Sequence, residues 1–348
     1  MQAVRCDASR QDTSPRLGQD CIRMQGKVTL EDHFAIEATL GDSQPFGAHV
    51  WPALRYRLLD FHDQRLRLMD ASGVEIMIVS LNAPAIQGIA DARQAAELAR
   101  RANDALAQEV GKHPDRFVAV AALPMQDPAL ATGELQRCVR DLGFRGALVN
   151  GYSPAPDSRT PIHYDLPQYR SFWRTVAELD VPFYLHPRPP MAGVLPLYEG
   201  HSWLFGPSWS FAAETSLHAL RLIGSGLFDE FPRLKIILGH LGEGLSFYLW
   251  RIDNRNNWMK APHKYAAKRR VADYVRENFF LTTSGHFSTP ALINAIAEIG
   301  AERIMFSVDY PFEDFSDAAD WFDHAEISEA ERKAIGRTNA MALFGLQR

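Results

Sequence analysis

Cysteine is scarce in this sequence. The 348 residues include only Cys6, Cys21 and Cys138, whose spacing matches neither a zinc finger nor a redox pair. A sparse, odd number of cysteines without a secretory signal is typical of proteins of the reducing cytoplasm. We therefore expect a cytoplasmic protein.

Long apolar runs and an excess of positive charge are also missing. The longest apolar run, residues 74–81, is interrupted by Glu75 and Ser80 and suits a strand better than a membrane span. The formal net charge is −5, which indicates no basic surface for nucleic acid. We expect neither a membrane nor a nucleic acid as a partner, and we expect a small-molecule substrate instead.

The N-terminal residues 1–23 lack an apolar segment. They are rich in Asp, Ser, Gln and Arg, which predicts a disordered extension and not a signal peptide. Met24 is an alternative start of the chain. The whole sequence is 46% hydrophobic and 23% charged, which is ordinary for a globular enzyme. We therefore expect one folded domain over residues 24–348.

Strand-like and helical patterns alternate through this domain. The eight strand-like runs are residues 27–34, 74–81, 117–123, 146–150, 181–186, 234–239, 279–283 and 303–309. Helical patterns follow them, at residues 54–71, 91–112, 129–142, 169–179, 211–227, 245–257, 290–299, 315–322 and 329–343. This rhythm predicts an α/β fold, a single (β/α)8 TIM-type barrel. Long Pro- and Gly-rich loops at the carboxyl ends of strands are predicted at residues 35–52, 151–167 and 187–207.

Residue types that bind metals stand where several of these strands end. Glu31 and His33 end the first run two residues apart, so both side chains point to one face of a strand. His186 ends the fifth run and Asp309 ends the eighth. In a (β/α)8 barrel the carboxyl ends of all strands meet on the side that carries active sites. Two carboxylates and two imidazoles suit one divalent ion, and they do not discriminate between Mn²⁺ and Zn²⁺.

Three more candidates follow the sixth run. His240 is either a loop histidine or a site residue, and Glu243 is either the first-turn acid of a helix or an acid–base group. Arg251 lies about two turns into that helix and is either a surface residue or an anion-binding one. Asp309 has a structural alternative as a helix cap. Each side chain alone fits a structural role, whereas their recurrence at strand ends favours a site.

Six short motifs are distributed along the chain from Met24 onward. They are MQGKVTLEDHFAI at 24–36, SLNAPA at 80–85, GALVNG at 146–151, FYLHPR at 183–188, GHLGE at 239–243 and DYPFE at 309–313. As a set they closely resemble the γ-resorcylate (2,6-dihydroxybenzoate) decarboxylases. This group belongs to the decarboxylase branch of the amidohydrolase superfamily, which is similar to aminocarboxymuconate semialdehyde decarboxylase. Hydrolases of that superfamily usually open with His-x-His, whereas here the first ligand is Glu31.

The resemblance implies a metal-dependent, reversible, non-oxidative decarboxylation of an ortho-hydroxybenzoate without an organic cofactor, in a homotetramer. By motif match, the metal ligands are Glu31, His33, His186 and Asp309. Asp309 is also the expected acid that protonates the ring, and His240 and Glu243 are expected beside the substrate. Arg251, Phe46 and Phe312 match positions that bind the substrate.

Two departures leave the substrate isomer open. Pro189 stands where relatives often have Asn, and Gly285-His286-Phe287 resembles the 2,3-dihydroxybenzoate enzymes. The alternatives are therefore decarboxylation of another ortho-hydroxybenzoate, such as 2,3-dihydroxybenzoate, and a metal-dependent hydrolase in which Asp309 serves as base. A non-catalytic barrel that binds an aromatic ligand has no evident need for four convergent ligands.

Overall fold

The computed structural model describes residues 23–46, 48–157, 160–258 and 265–346. The predicted disordered extension falls outside these residues, except for Arg23. Within them, no helix is both long enough and apolar enough to cross a membrane.

Parallel strands form the centre of the described chain. Their bounds, with those of one short hairpin, are β1 Lys27–Phe34, β2 Val74–Leu81, β3 Phe117–Ala119, β4 Ala147–Asn150, β5 Ser153–Pro154, β6 Pro161–Ile162, β7 Phe183–His186, β8 Ile236–Leu238, β9 Phe279–Thr282 and β10 Ile304–Met305. Strands β1, β2 and β3 pair in that order, and β4, β7, β8, β9 and β10 form a second parallel sheet. Strands β5 and β6 are the antiparallel hairpin, which stands apart from both sheets.

Hydrogen bonds connect the two parallel sheets at both edges. Ala121, just after β3, bridges to Ala147 of β4. At the other junction the Ser307 hydroxyl donates to the Leu30 carbonyl, and the His33 backbone N–H donates to the Tyr310 carbonyl at 2.6 Å. Eight parallel strands are thus connected around a ring, as the predicted (β/α)8 barrel requires.

Helices follow the strands along the chain. They are α1 Trp51–Leu59, α2 Gln64–Ala71, α3 Ala92–Lys112, α4 Pro128–Arg140, α5 Arg170–Leu179, α6 Ser210–Gly224, α7 Leu227–Glu230, α8 His240–Glu243, α9 Leu245–Trp258, α10 Val271–Asn278, α11 Thr289–Ile299, α12 Phe315–His324, α13 Glu329–Lys333 and α14 Asn339–Leu343. The order of elements agrees with the predicted rhythm.

Several local predictions differ from the structure: for example, the predicted strand over residues 117–123 pairs only over Phe117–Ala119. The helix predicted over residues 54–71 is two helices, because the Asp60 carboxylate accepts hydrogen bonds from the backbone N–H groups of Asp63 at 3.0 Å and Arg65 at 2.8 Å. Such side-chain bonds compete with the helical backbone pattern. The last predicted strand, residues 303–309, pairs in a ladder only over Ile304–Met305. Helix α10 was not predicted.

Apolar side chains fill the barrel below the polar strand ends. Nine of them belong to one buried cluster: Val28, Leu30, Ile76, Ile78, Val120, Leu148, Tyr184, Ile237 and Met305. A larger cluster packs the strands against the surrounding helices. The polar residues at the carboxyl ends of the strands therefore rest on a close-packed apolar floor.

Candidate active site

The four predicted metal ligands converge at the carboxyl ends of β1, β7 and β10. One ligand atom from each of Glu31, His33, His186 and Asp309 lies within 4.8 Å of the others. Glu31, His33 and His186 are buried, and the Asp309 side chain is 15% exposed. Ligands placed about 2.1 Å from one ion are separated by at most about 4.2 Å, so the cluster is close to ligating dimensions.

The Glu31 carboxylate presents its two oxygens to different surroundings. Oε2 accepts hydrogen bonds from the hydroxyls of Tyr184 and Ser284, and from Thr282 at 3.2 Å. Oε1 lies 3.3 Å from His186 Nε2 and is buried without a hydrogen-bond partner among the described residues. Burial raises the pKa of Glu31, because a carboxylate in an apolar barrel loses its hydration. One carboxylate oxygen is thus left to face a cation.

Both histidines direct a nitrogen toward the same centre. His33 Nδ1 lies 3.1 Å from the Ser80 hydroxyl, and His33 Nε2 is 3.3 Å from Asp309 Oδ1. The rings of His33 and His186 meet edge to face, with centroids 4.8 Å apart. Burial and the neighbouring His33 lower the pKa of His186 well below its usual value, so this imidazole is neutral and keeps a lone pair.

The donor set fits a divalent cation. Glu31 Oε1 and His33 Nε2 are buried, and no hydrogen-bond partner satisfies either atom within the described ranges. Unsatisfied buried polar atoms are rare and call for an explanation. Two carboxylates would balance the charge of a divalent ion, and two imidazole nitrogens would complete its ligands.

A second cluster of charges adjoins the first. His240 Nδ1 lies 2.8 Å from Glu243 Oε1, and His240 Nε2 lies 3.6 Å from Asp309 Oδ2. Burial alone would lower the pKa of His240, but the carboxylates of Glu243, Glu31 and Asp309 outweigh it and raise that pKa well above its usual value. Burial alone would raise the pKa of Asp309, but His240 and His33 lower it to about 2. His240 and Asp309 therefore form an imidazolium beside a carboxylate.

A cavity of about 810 Å³ opens next to this pair. His240, Glu243 and Arg251 line it together with Trp209 and His286. Arg251 has no ion pair or hydrogen bond among the residues that the structure describes, so its guanidinium is available to an anion. The cavity has more room than a small aromatic acid needs, and its lining is mostly apolar.

The two aromatic candidates differ in what the structure describes. The half-buried ring of Phe312 meets the His33 ring edge to face, with centroids 5.8 Å apart. Phe312 therefore lies against the candidate metal ligands. The side chain of Phe46, at the end of a 3₁₀ segment, is outside the described part of the chain.

Sequence reasoning missed several polar residues that support the site. Tyr184, Thr282 and Ser284 surround Glu31, but no role was predicted for them from the sequence. The only available signal was spacing: Tyr184 precedes His186 by two residues, so both face the barrel interior. Arg65 is also fully buried and donates to the His33 carbonyl at 2.7 Å, whereas an arginine in a short helix usually indicates a surface position.

Comparisons with known proteins identify the family of this chain. The family model described as amidohydrolase matches residues 46–346. The gamma-resorcylate decarboxylase of Rhizobium sp. is 63% identical over 324 residues, which is 93% of this chain and 99% of that relative. The chain belongs to the amidohydrolase family, and within it this similarity extends over the whole barrel.

Solved structures similar to this chain include two dihydroxybenzoate decarboxylases. A crystal structure of 2,6-dihydroxybenzoate decarboxylase complexed with 2,6-dihydroxybenzoate has a TM-score of 0.91 and 63% identity, and the match covers 93% of this chain and 100% of that one. The dihydroxybenzoic acid decarboxylase of Polaromonas sp. JS666, with bound manganese and 2-nitroresorcinol, has a TM-score of 0.91 and 60% identity, over 93% and 98% of the two chains. The predicted resemblance and the predicted barrel are confirmed.

Proposed function

We propose that this protein is a metal-dependent decarboxylase that converts 2,6-dihydroxybenzoate to resorcinol and CO2 in a reversible, non-oxidative reaction. The observation that carries the proposal is the contact of the His240–Glu243 pair with Asp309, at the edge of the four-ligand cluster. The gamma-resorcylate decarboxylases, at 58–63% identity, support this choice of substrate.

Glu31, His33, His186 and Asp309 would hold the metal. A divalent ion there, Mn²⁺ or Zn²⁺, would supply Lewis acidity toward the oxygens of the substrate. Manganese in the Polaromonas structure supports the first of these metals for this chain. We propose that the reaction needs no organic cofactor, because protonation and loss of CO2 require no electron acceptor.

We assign substrate binding to Arg251, which lines the cavity, and to two aromatic residues. Arg251 would pair with the carboxylate or with a hydroxyl oxygen of the substrate, because its guanidinium lacks a partner among the described residues. Phe312 would pack against the aromatic ring, since it already lies against His33. Phe46 is proposed as a second aromatic wall from its motif position.

The proton follows a short relay. Asp309 would transfer a proton from Oδ2 to the ring carbon that bears the carboxylate, after which the electrons of the carbon–carboxylate bond return to the ring and CO2 leaves. With its pKa lowered to about 2, Asp309 holds no proton at neutral pH. His240 is protonated there, and its Nε2 lies 3.6 Å from Asp309 Oδ2, so it can supply the proton. Glu243 fixes the imidazolium at 2.8 Å through Nδ1.

The test compares 2,6-dihydroxybenzoate, 2,3-dihydroxybenzoate and salicylate on metal-depleted protein with Mn²⁺ or Zn²⁺ restored. We expect CO2 release and loss of ultraviolet absorbance with 2,6-dihydroxybenzoate, only when metal is present. Turnover of 2,3-dihydroxybenzoate alone would reassign the substrate, and no turnover of any hydroxybenzoate with metal bound would favour the hydrolase. Asp309→Asn should retain substrate binding and lose turnover, and an active variant would contradict the assignment of Asp309 as acid.

We also propose a homotetramer in the cytoplasm. Helix α9 exposes the aromatic side chains Phe247 at 75%, Trp250 at 73% and Trp258 at 73%. Large apolar side chains clustered on one surface are typical of protein interfaces. Sedimentation equilibrium should give four times the chain mass, and Trp250→Glu should lower it. A monomeric parent protein would refute this assembly.

A further inference from the structure

Three buried hydroxyls surround one oxygen of Glu31. Tyr184 lies on β7, Thr282 ends β9 and Ser284 follows it, and all three side chains are at most 3% exposed. Each donates to, or lies within hydrogen-bond distance of, Glu31 Oε2. A carboxylate oxygen with three such neighbours is fully occupied as an acceptor.

Two of the three hydroxyl protons of this cluster point at Glu31. The Tyr184 and Ser284 hydroxyls each have one proton, and both donate it to Glu31 Oε2. Ser284 Oγ in turn accepts from the His240 backbone N–H at 3.2 Å. Thr282 Oγ1 lies 2.8 Å from Tyr184 Oη and 2.9 Å from Ser284 Oγ, so it links the two donors. The network therefore fixes Glu31 and ties its position to the backbone of His240.

Gly239 also adjoins the Glu31 carboxylate. A Cβ at Gly239 would lie 2.8 and 2.9 Å from the two Glu31 oxygens, so only glycine leaves room for the carboxylate in this position. Glu31 Oε1 is left as the single oxygen directed at His186, 3.3 Å away. Because Oε2 is engaged by hydroxyls, Glu31 offers one oxygen and not two.

We infer that Tyr184, Thr282 and Ser284 are positioning residues that hold Glu31 as a one-oxygen ligand and thereby set the affinity of the site for its divalent metal. This inference rests on the metal site of the proposed function and adds residues to it. Groups that orient a metal ligand typically contribute 10–100-fold to metal affinity. The effect acts through Glu31, so it requires the Glu31 carboxylate to be present.

Tyr184→Phe removes one hydroxyl and leaves the ring. The metal-free protein is titrated with Mn²⁺, and free Mn²⁺ is followed by its electron paramagnetic resonance signal, without substrate. We expect the dissociation constant to rise about 10–100-fold. Thr282→Val and Ser284→Ala should weaken binding in the same direction. Thermal unfolding of the metal-free variants measures any general loss of stability separately.

Tyr164→Phe is the matched control. Tyr164 is also fully buried, and its hydroxyl lies 3.0 Å from the Ser153 hydroxyl, away from Glu31. Removal of the Tyr164 hydroxyl should leave the Mn²⁺ dissociation constant within about twofold of the parent value, even if the stability of the protein falls. A second comparison starts from the Glu31→Gln variant. Adding Tyr184→Phe to this variant should not change its Mn²⁺ dissociation constant any further.

The outcomes separate this inference from the proposed function. If the parent protein binds Mn²⁺ and Tyr184→Phe binds it equally well, the positioning role is wrong and the decarboxylase proposal stands. The inference is also overturned if Tyr184→Phe weakens binding equally with and without the Glu31 carboxylate. A parent protein that binds Mn²⁺ but decarboxylates no hydroxybenzoate refutes the function alone. A parent that binds no divalent metal overturns both.

Discussion

Gly239 marks the point where the barrel leaves no room for a side chain beside Glu31. A Cβ there would lie within 2.9 Å of both Glu31 carboxylate oxygens and 3.1 Å from Ser284 Oγ. The backbone at Gly239 has φ −71° and ψ −179°, which any residue adopts. Gly239→Ala therefore acts through the added methyl group and not through backbone strain.

The size of the disturbance follows from these distances. Ordinary van der Waals contact begins at 3.4 Å, so the nearest Glu31 oxygen, at 2.8 Å, must move by 3.4 − 2.8 = 0.6 Å. The hydroxyls of Tyr184 and Ser284 oppose this movement. Functional groups tolerate displacements of about 0.5 Å. We expect the affinity for Mn²⁺ to fall about 10–100-fold, with a matching loss of kcat/KM at limiting metal.

The assay is titration of the metal-free protein with Mn²⁺, with decarboxylation measured in parallel. Gly133→Ala is the control, because Gly133 is exposed within helix α4 and an added Cβ meets nothing within 4 Å. This control should keep its metal affinity and gain about 0.5–1 kcal/mol of stability. Parent-like affinity in Gly239→Ala would refute the reasoning, because Glu31 would then be free to move without consequence.

Two further predictions concern buried cations and histidines. Arg65→Met removes donors to three backbone carbonyls, including that of His33, and should destabilise the protein by about 3 kcal/mol in urea. Arg67→Met, on the same helix and 69% exposed, should change stability by less than about 0.5 kcal/mol, and equal effects would contradict the argument. Burial and His163 lower the pKa of His218 well below its unfolded value, so the folded state binds fewer protons and stability should fall as pH drops below about 6.5. His218→Gln, measured in urea at pH 7 and pH 5, should reduce this slope by up to about 1.4 kcal/mol per pH unit, and an unchanged slope would exclude His218 as its source.

Strand periodicity was enough to locate the ligand cluster. Residues of suitable chemistry stood at the ends of strand-like runs, and parallel strands bring such ends to one side of a barrel. The structure places Glu31, His33, His186 and Asp309 together there. Their roles as metal ligands stay predictions, because position alone does not show an ion.

Polar residues that hold Glu31 and His33 in position were harder to predict from the sequence. Tyr184 and Thr282 sit in strands, where tyrosine and threonine are common for reasons of β propensity alone. Their importance arises from long-range contacts with Glu31, which is 153 and 251 residues away in the sequence. Arg65 is likewise buried by long-range contacts, with the His33 carbonyl and with the Tyr310 ring at 4.9 Å. No local pattern records such contacts.

The backbone of the site departs from what its residues prefer. Glu31, His240, Glu243 and Asp309 all have positive φ, between 51° and 77°, although none is glycine. Each such residue costs on the order of 1 kcal/mol, so local propensity would place none of them there. At Glu31 the cost coincides with a register shift between Thr29 and Asp32, where β1 has one residue more than β2. The surrounding hydrogen bonds must offset this strain, so the precision of the site is a property of the closed barrel and not of any one motif.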